Sequence, residues 1–364
     1  MTARAIRLIP YDWPASLDRL HAEFIDETWR DAYAGETMID MSPQWLRWLY
    51  DPRTDIAVTI RDGERGIGFF GAAKRRGRVA GENRDVYLGT MFSVHPAYQG
   101  RGLGTRLLAA LAEAVLDGHP ERLLLFYMDV GHASLGALRK YLGTGRYPLL
   151  LNRPFQYRAK VLDMRRVAEA EPLRGAERLL LCPLVRHWFE TVPPSPGVPG
   201  RVRPYAPGDL DACLNVLGDF ARDDGMGLVQ TFSPEALARQ LAFEDYARTW
   251  VYERDGTVQG LLNFYLPIMR GPKPFPGALV NLANWRRLAK AEQCALMGGV
   301  LNDLQRLGRT ALIANMLVPN PDAPFRWARA VTHPRKSHQL VLGHPADRER
   351  LAAAAERPCL FEHK

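Results

Sequence analysis

Residues 88–111 read LGTMFSVHPAYQGRGLGTRLLAAL and carry the clearest local pattern in the chain. Residues 87–94 are mostly apolar and are soon followed by Pro96, a pattern that predicts a short buried strand. From Leu103 onward apolar residues recur at helical spacing, and Gly118 with Pro120 marks the end of that helix. The stretch therefore predicts a strand, a glycine-rich turn and a helix in direct succession.

The predicted turn contains Gly100, Gly102 and Gly104, which place no Cβ between a ligand and the amides that open the helix. Unpaired amides and the positive end of the helix dipole favour a phosphate or pyrophosphate there. A nucleotide P-loop would need a Gly-Lys-Ser/Thr ending, which this turn lacks. A dinucleotide fingerprint would need its third glycine one residue later and an acid at the next strand end. The sequence supports neither of these two classes.

The residues Val94, Pro96, Gln99, Gly102 and Gly104 match in order the acetyl-CoA-binding motif Val-x-Pro-x-x-Gln/Arg-x-x-Gly-x-Gly/Ala. The stretch thus resembles the GCN5-related N-acetyltransferase (GNAT) superfamily, whose motif has the same strand before it and helix after it. The resemblance implies acetyl-CoA as cofactor, a strand backbone that holds the pantetheine arm and polarises the thioester carbonyl, and turn amides that anchor the pyrophosphate. The cofactor-binding residues it implies here are Phe92, Ser93, Val94, Gln99, Gly100, Arg101, Gly102, Leu103, Gly104 and Thr105.

A second motif of the same superfamily falls on the next predicted strand and helix. Aligned with the family pattern, it places His132 and Ser134 at cofactor-binding positions and Leu138 at the position of a tyrosine. In the family that tyrosine is the general acid that reprotonates the leaving thiolate. Tyr141 lies one helical turn beyond Leu138, so a small register shift would make Tyr141 the acid. The other interpretation is that Tyr141 only packs, and the sequence leaves both open.

An acceptor amine must lose a proton to attack a thioester, so a carboxylate is expected near the site. Glu82 and Asp85 precede the central strand, and Glu27 lies in the first helices, which wall the acceptor site in the family. These three are the candidate general bases. The same early segment carries further acids and a group of aromatic residues. For the acids a solvent-exposed helix face is favoured over contact with a ligand, and for the aromatic residues packing in the core is favoured. The aromatic residues are Trp29, Tyr33, Trp45, Trp48 and Tyr50.

The order of the other predicted elements agrees with the family's fold, an α/β class with a mostly antiparallel mixed sheet flanked by helices. A hairpin is predicted at 56–73 and a buried strand at 122–129. A helix is predicted at 133–142 and the closing strands at 147–162. The basic residues 74–78 are interpreted as part of the connection between the hairpin and the central strand.

A proline-rich segment divides the chain into two similar parts. Residues 191–200 read TVPPSPGVPG, which cannot continue a helix or a central strand. The sequence after it resembles the start of the chain, and a second Asp-Gly hairpin follows at 249–265. We therefore predict two tandem GNAT-like domains, 1–190 and 201–364, joined by the linker 191–200.

The second copy has lost the glycine turn. Matching the helix ends Gly118 and Gly308 puts Glu292 in the place of Gly102. A carboxylate facing a pyrophosphate and amides blocked by side chains both oppose binding. The second domain is therefore predicted to be degenerate and to hold no coenzyme A.

Composition limits the partners. The 364 residues carry a formal net charge of +8 that is spread evenly along the chain, which disfavours nucleic acid as a partner. The sequence has no apolar run of membrane-helix length and no secretory segment at its start, so a cytoplasmic location without a membrane partner is expected. The four cysteines are scattered, which predicts reduced thiols and no metal site.

The sequence as a whole predicts an acetyl-CoA-dependent N-acetyltransferase that moves an acetyl group to an amine by direct attack. The acceptor is an amine-bearing small molecule or peptide, and a homodimer is compatible with the sequence. Two alternatives stay open. The missing tyrosine favours a non-catalytic acyl-CoA-binding protein or sensor, and a transferase for a longer acyl chain would need an apolar tunnel.

Overall fold

The computed structural model of the chain describes residues 6–13, 17–20, 24, 38–129, 133–170, 175–270, 273–315, 320–355 and 357–361. The strands in these ranges are β1 (Ile6–Pro10), β2 (Met38–Ile39), β3 (Ile56–Asp62), β4 (Arg65–Val79), β5 (Glu82–Val94), β6 (Arg122–Asp129), β7 (Leu149–Val161), β8 (Arg201–Pro204), β9 (Leu228–Thr231), β10 (Ala247–Arg254), β11 (Thr257–Tyr265), β12 (Ile268–Arg270), β13 (Phe275–Asn284), β14 (Ala311–Asn315), β15 (Val331–Leu342) and β16 (Cys359–Leu360). The helices are α1 (Leu17–Leu20), α2 (Pro43–Leu49), α3 (Leu103–Leu116), α4 (Ala133–Thr144), α5 (Met164–Ala170), α6 (Pro183–Glu190), α7 (Leu210–Arg222), α8 (Pro234–Leu241), α9 (Lys290–Arg306), α10 (Ala323–Trp327) and α11 (Arg348–Ala355). Within the described ranges, none of these helices combines the length and the apolar character needed to cross a membrane.

The strands form one mixed sheet that spans both halves of the chain. Its main path runs β1-β3-β4-β5-β6-β15-β7-β14-β13-β11-β10-β8. The two central strands are exchanged between the halves: β15 pairs with β6, β7 pairs with β14, and β15 and β7 pair with each other, all antiparallel. Each half is thus completed by the last long strand of the other half. The boundaries 1–190 and 201–364 stay a prediction about two copies that share one backbone ladder.

The two halves present the same order of elements around their central strands. In the N-terminal half a hairpin (β3, β4) leads to β5, α3, β6, α4 and β7, and in the C-terminal half β10 and β11 lead to β13, α9, β14, α10 and β15. In both halves the central strand pairs in parallel with the strand after the helix. The predicted fold class, α/β with a mixed, mostly antiparallel sheet flanked by helices, is confirmed. The matching order supports the tandem prediction.

Residues 88–111 fold as strand, turn and helix. The central strand β5 includes the predicted residues 87–94 but begins earlier, at Glu82. Helix α3 ends at Leu116, just before Gly118, whose φ is +70°. The interpretation of residues 74–78 as a connection was wrong, because they belong to β4 and pair with β5 and partly with β9. Neighbouring strands on both sides supply backbone partners there, which outweighs the polar character of the side chains.

A separate core covers each face of the N-terminal part of the sheet. On one face α3 buries its apolar stripe, with Leu107, Leu108 and Leu111 fully inaccessible, together with Leu138 and Tyr141 of α4. On the other face lies an aromatic core to which both halves of the chain contribute. Its aromatic members include Tyr11, Phe24, Trp45, Trp48, Tyr50 and Phe69 from the N-terminal half and Tyr246, Tyr265 and Phe275 from the C-terminal half.

Candidate active site

Two glycines in the left-handed region shape the turn between β5 and α3. Gly100 has φ +77° and Gly102 has φ +76°, angles that residues with a Cβ rarely adopt. A Cβ built on either glycine would meet no described atom within 4 Å. The positive φ angle therefore requires glycine at both positions, whereas steric crowding around the Cβ does not. The space outside the turn is open, and the exposed Arg101 and Arg106 carry positive charge in this segment.

The turn supplies a row of amides with no backbone acceptor. Gly102 is the N-cap of α3 and has no side chain to cap the helix, and the first N–H groups of any helix lack an intrahelical partner. The amide of Gln99 donates to the carbonyl of Pro96 at 3.1 Å, so it is already used. Within the described chain, the free amides of the predicted phosphate site therefore run from Gly100 to Thr105.

Side-chain bonds hold this turn against the strand and the hairpin. Gln99 Nε2 donates to the carbonyl of Val94 at 3.0 Å, and the Tyr98 hydroxyl donates to Asp62 Oδ2 at 2.6 Å. The Gln99 side chain, which is predicted to contact the cofactor, thus bonds the turn to the end of β5. The carbonyl of Val94 is occupied by the same bond.

A wedge-shaped opening lies between β5 and β6. The two strands pair in parallel from Asp85 and Arg122 to Gly89 and Phe126, and the pairing then stops. Both strands continue beyond this point, and each keeps its partner on the other side, β4 for β5 and β15 for β6. We call Gly89 the narrow end of the opening, because the two strands are still hydrogen-bonded there, and the unpaired part of β5 runs from it towards the glycine turn. No described strand pairs with this edge of β5 from Thr90 to Val94.

The edge of β5 along the opening is irregular and carries an unsatisfied hydroxyl. The register of β4 with β5 slips between Gly71–Thr90 and Phe69–Ser93, and Met91 has φ +60° at this bulge. Bulges re-aim backbone groups and are frequent next to active sites. The Ser93 side chain is 2% exposed, and its Oγ has no partner among the described residues. Buried polar atoms are normally paired, so the residues present fit a site that a ligand completes.

Helix α3 approaches the opening closely on one face. A Cβ on Gly104 would lie 3.3 Å from both the Phe92 ring and the Cβ of Ala137, which explains the glycine by packing. The Phe92 ring packs on Phe70 with centroids 4.8 Å apart. Thr105 Oγ1 donates to the carbonyl of Ala137 at 3.4 Å, which ties α3 to α4. Of the predicted cofactor residues, Phe92, Gly104 and Thr105 are thus engaged in building the wall of the opening.

The other face of the opening holds a contact that the sequence analysis missed. The hydroxyls of Tyr50 and Thr90 form a short hydrogen bond, and both side chains are buried. Thr90 is the first residue of β5 beyond its pairing with β6. Tyr50 was noted only as one of several aromatics, and Thr90 not at all. No local pattern could have joined two residues 40 positions apart.

The predicted acid Tyr141 points into the core of the N-terminal half. Its side chain is 2% exposed, and its hydroxyl accepts from the Tyr147 amide at 3.3 Å. Burial raises the pKa of Tyr141 to about 12. Leu138 is buried in the same core, Ser134 is buried near the start of α4, and His132 lies outside the described residues. This geometry supports a packing role for Tyr141, and its role as an acid stays a prediction.

The predicted bases Glu82 and Asp85 lie at the far end of β5. Glu82 accepts from Arg350 at 2.6 Å and from Arg84 at 3.0 Å, and Asp85 pairs with Lys74 at 2.7 Å. At about 3.3 Å per residue, Asp85 is roughly 17 Å along the strand from Thr90, beyond hydrogen-bond reach. Both carboxylates are placed as ion-pair residues. Glu27 lies outside the described residues. Within the described residues, no cluster of His, Cys, Asp or Glu is arranged to hold a metal.

The corresponding helix of the C-terminal half caps itself. Glu292 is 2% exposed and accepts from the amide of Ala289 at 2.8 Å, the hydroxyl of Tyr252 at 2.8 Å and Arg254 Nη1 at 2.9 Å. Burial alone would raise the pKa of Glu292, but these donors hold it below its ordinary value. The Glu292 carboxylate therefore takes the amide of Ala289 and places a negative charge at the N-terminus of α9.

The edge of β13 beyond its pairing with β14 is also occupied in the C-terminal half. Asn320 Nδ2 donates to the carbonyl of Ala283 at 2.9 Å, and its Oδ1 accepts from the amide of Trp285 at 3.2 Å. A side chain of the chain itself thus occupies this edge of β13. This arrangement agrees with the prediction that the second copy does not bind a cofactor.

Comparisons with known proteins show a family match for part of the chain and a shared fold for most of it. The model of the acetyltransferase (GNAT) family matches residues 21–143, whereas no curated protein matches the chain significantly. The chain is similar to Saccharomyces cerevisiae N-myristoyltransferase with bound myristoyl-CoA, at 12% identity and a TM-score of 0.69 over 94% of this chain and 79% of that one. A structure of that enzyme with myristoyl-CoA and inhibitors gives 13% identity and the same TM-score over 94% and 80%. A GCN5-related N-acetyltransferase from Anabaena variabilis ATCC 29413 gives 8% identity and a TM-score of 0.53 over 92% and 72%.

At these identities the solved structures show a shared fold, and the family match supplies the assignment. The match begins before α2 and ends at α4, so it includes the glycine turn and the opening beside it. Residues 21–143 therefore match the acetyltransferase (GNAT) family, and the solved structures add a shared fold over more than nine-tenths of the chain.

Proposed function

We propose that the chain is an acyl-CoA-dependent N-acyltransferase that moves an acetyl group from acetyl-CoA to an amine of a small molecule or a peptide. The observation that carries the proposal is the opening between β5 and β6, which leads to the free amides of residues 100–105. Helix N-termini bind phosphate groups, and an unpaired strand edge pairs with amides of an extended ligand. The opening and the turn together suit the pyrophosphate and the pantetheine arm of coenzyme A.

Each part of this site would act on a different part of the substrate. The amides of residues 100–105 would anchor the pyrophosphate, with Arg101 and Arg106 adding positive charge. The edge of β5 at Phe92 and Ser93 would pair with the arm, and a backbone N–H of the bulge at Met91 would donate to the thioester carbonyl. Acetyl-CoA would supply the acyl group as an activated thioester.

The acceptor amine must lose one proton as its nitrogen bonds to the acyl carbon and the carbon–sulfur bond breaks, and the departing sulfur must gain one. Glu27 is our candidate base, because Glu82 and Asp85 are engaged in ion pairs at the far end of β5. We propose Glu27→Gln as its test, with an unchanged affinity for acetyl-CoA and a large loss of turnover as the expected result.

Two other functions are each favoured by one observation. The N-myristoyltransferase structures contain myristoyl-CoA, which favours a longer acyl donor. The buried Leu138 in place of the family's tyrosine favours a non-catalytic acyl-CoA-binding protein or sensor. Release of free thiol from acetyl-CoA with a panel of amines separates the enzyme from the sensor.

The cofactor site is tested by two matched substitutions at opposite ends of α3. Gly102 and Gly118 have φ +76° and +70°, and both lie in open space. Gly102→Glu and Gly118→Glu therefore introduce a similar backbone strain and the same charge. Calorimetric titration with acetyl-CoA should show loss of binding for Gly102→Glu alone. Equal affinities in the two variants would remove the site from this turn.

A further inference from the structure

An aromatic ring lies on each face of the sheet beside the narrow end of the opening. On the α3 face, a Cβ on Gly89 would lie 3.1 Å from Cζ of Phe70 and 3.2 Å from Cβ of Phe126. On the opposite face, Gly71 pairs with Thr90, and a Cβ there would overlap the Tyr50 hydroxyl and lie 2.9 Å from Tyr50 Cζ. The Phe70 ring thus lies on Gly89, the last residue of β5 paired with β6, whereas the Tyr50 ring lies on Gly71 of β4 and its hydroxyl reaches Thr90 of β5.

The reactive end of the donor would reach this point, a step that rests on the proposed function. The pantetheine arm, from pyrophosphate to sulfur, is about as long as four extended residues. Along β5, an arm that starts near Val94 therefore ends near Thr90. The acyl group beyond the sulfur would meet the narrow end of the opening and the two rings over it.

Tyr50 is buried in a packed aromatic core. Its ring is 1% exposed and packs on Trp13 with centroids 4.9 Å apart, and Trp13 packs in turn on Phe69 at 6.4 Å. Its hydroxyl is fixed by Thr90. A longer acyl chain would have to displace this ring, and inserting methylenes into a packed core is costly.

We propose that Tyr50 sets the acyl-chain length, so that the site accepts acetyl-CoA and rejects donors with longer chains.

The C-terminal half fixes Tyr50 in this position. Arg239 of α8 donates to the carbonyls of Tyr50, at 3.3 Å, and of Arg47, and the Trp48 indole donates to the Arg239 carbonyl at 3.1 Å. The C-terminal half thus contributes to donor choice without holding a cofactor.

The test is a calorimetric series with free CoA, acetyl-CoA, butyryl-CoA and octanoyl-CoA. The wild type should bind CoA and acetyl-CoA alike and octanoyl-CoA roughly tenfold or more weakly. Tyr50→Ala should bind octanoyl-CoA at least as tightly as acetyl-CoA. Tyr50→Phe keeps the ring and should keep the wild-type preference. Tyr50→Leu, which retains apolar bulk, replaces the alanine variant if thermal unfolding shows that the latter does not fold.

Equal affinities of the wild type for acetyl-CoA and octanoyl-CoA would overturn the inference and leave the proposed acyl-CoA site intact. An unchanged preference in folded Tyr50→Ala or Tyr50→Leu would also overturn it. If free CoA itself did not bind the wild type, the proposed function would fail, and this inference with it.

Discussion

The hydroxyl of Tyr50, at the C-terminus of α2, shares a short hydrogen bond with Oγ1 of Thr90, at the point where β5 leaves β6. The phenol of Tyr50 is fully buried, and burial raises its pKa, so it stays protonated at neutral pH. Because both hydroxyls are buried, each depends on the other for its hydrogen-bond partner. This bond joins the aromatic core to the edge of the proposed substrate site.

A double-mutant cycle measures this bond. Tyr50→Phe and Thr90→Val should each lower the free energy of unfolding by about 1–3 kcal/mol, because each leaves a buried hydroxyl unpaired. The double variant should cost clearly less than the sum of the two. Urea unfolding of the four proteins provides the values. Additive losses would show that the two hydroxyls do not depend on each other.

Tyr141→Phe should retain turnover and lose a modest amount of stability. The substitution removes the acceptor of the Tyr147 amide and keeps the packed ring, which costs about 1 kcal/mol. The pKa of Tyr141 is about 12 in the folded protein and 10.0 ordinarily, so the unfolded chain loses this proton first. The free energy of unfolding therefore falls as pH rises from 10 to 12. The variant should therefore lose stability less steeply there. A large drop in turnover without loss of binding would instead identify Tyr141 as the acid.

Lys160 should make stability rise with pH. Its Nζ is buried and donates to the carbonyls of Phe189 and, at 3.0 Å, Thr191. Burial, helped by the charge of Arg329, lowers the pKa of Lys160 from 10.5 to about 8. Between these values the unfolded chain binds more protons, so the free energy of unfolding increases with pH. Lys160→Met should flatten this slope in urea titrations at several pH values, whereas Lys290→Met, at an exposed position, should not.

Cleavage of the linker 191–200 should leave the two halves together. β15 and β7 pair with each other and with strands of the opposite half. Since β9 also pairs with β4 and β12 with β2, separation would break five described ladders and expose strand edges. After insertion of a protease site and digestion, the fragments should elute as one particle in native chromatography. Expressed alone, 1–190 should aggregate. Two independently folded fragments would contradict the role of the strand exchange.

Acetyl-CoA should bind with a stoichiometry of one per chain. The carboxylate of Glu292 places a negative charge at the N-terminus of α9, and Asn320 occupies the edge of β13, so both features oppose a bound pyrophosphate and pantetheine arm there. Glu292→Gln should lower the free energy of unfolding, because Arg254 loses its charged partner, and should leave the stoichiometry unchanged. A second binding event in calorimetry would refute the degeneracy of this copy.

Most elements of the N-terminal half could be predicted because their signals are local. The spacing of leucines from Leu103, the stop at Gly118 and the apolar run of β6 each depend on neighbours in sequence. The glycine turn was found in the same way, and its positive φ angles follow from residue type. Residues 74–78 were misassigned because only β5 and β9, distant in sequence, make that basic segment a strand.

The candidate catalytic groups could not be fixed from sequence, because their roles depend on what surrounds them. Tyr141 was chosen by helical spacing, but spacing gives a face of a helix and not the partner that Tyr147 supplies. Glu82 and Asp85 were chosen for their place ahead of the central strand, and their cationic partners come from other segments of the chain.

The strand, the glycine turn and the helix can be predicted from residues 88–111 alone, because local periodicity and the conformational freedom of glycine are properties of short stretches. The exchange of β7 and β15, the separation of β5 and β6 after Gly89, and the bond between Tyr50 and Thr90 arise from tertiary contacts. Each of these depends on contacts between residues far apart in the chain, whose free energy is realised only when the whole sheet has formed.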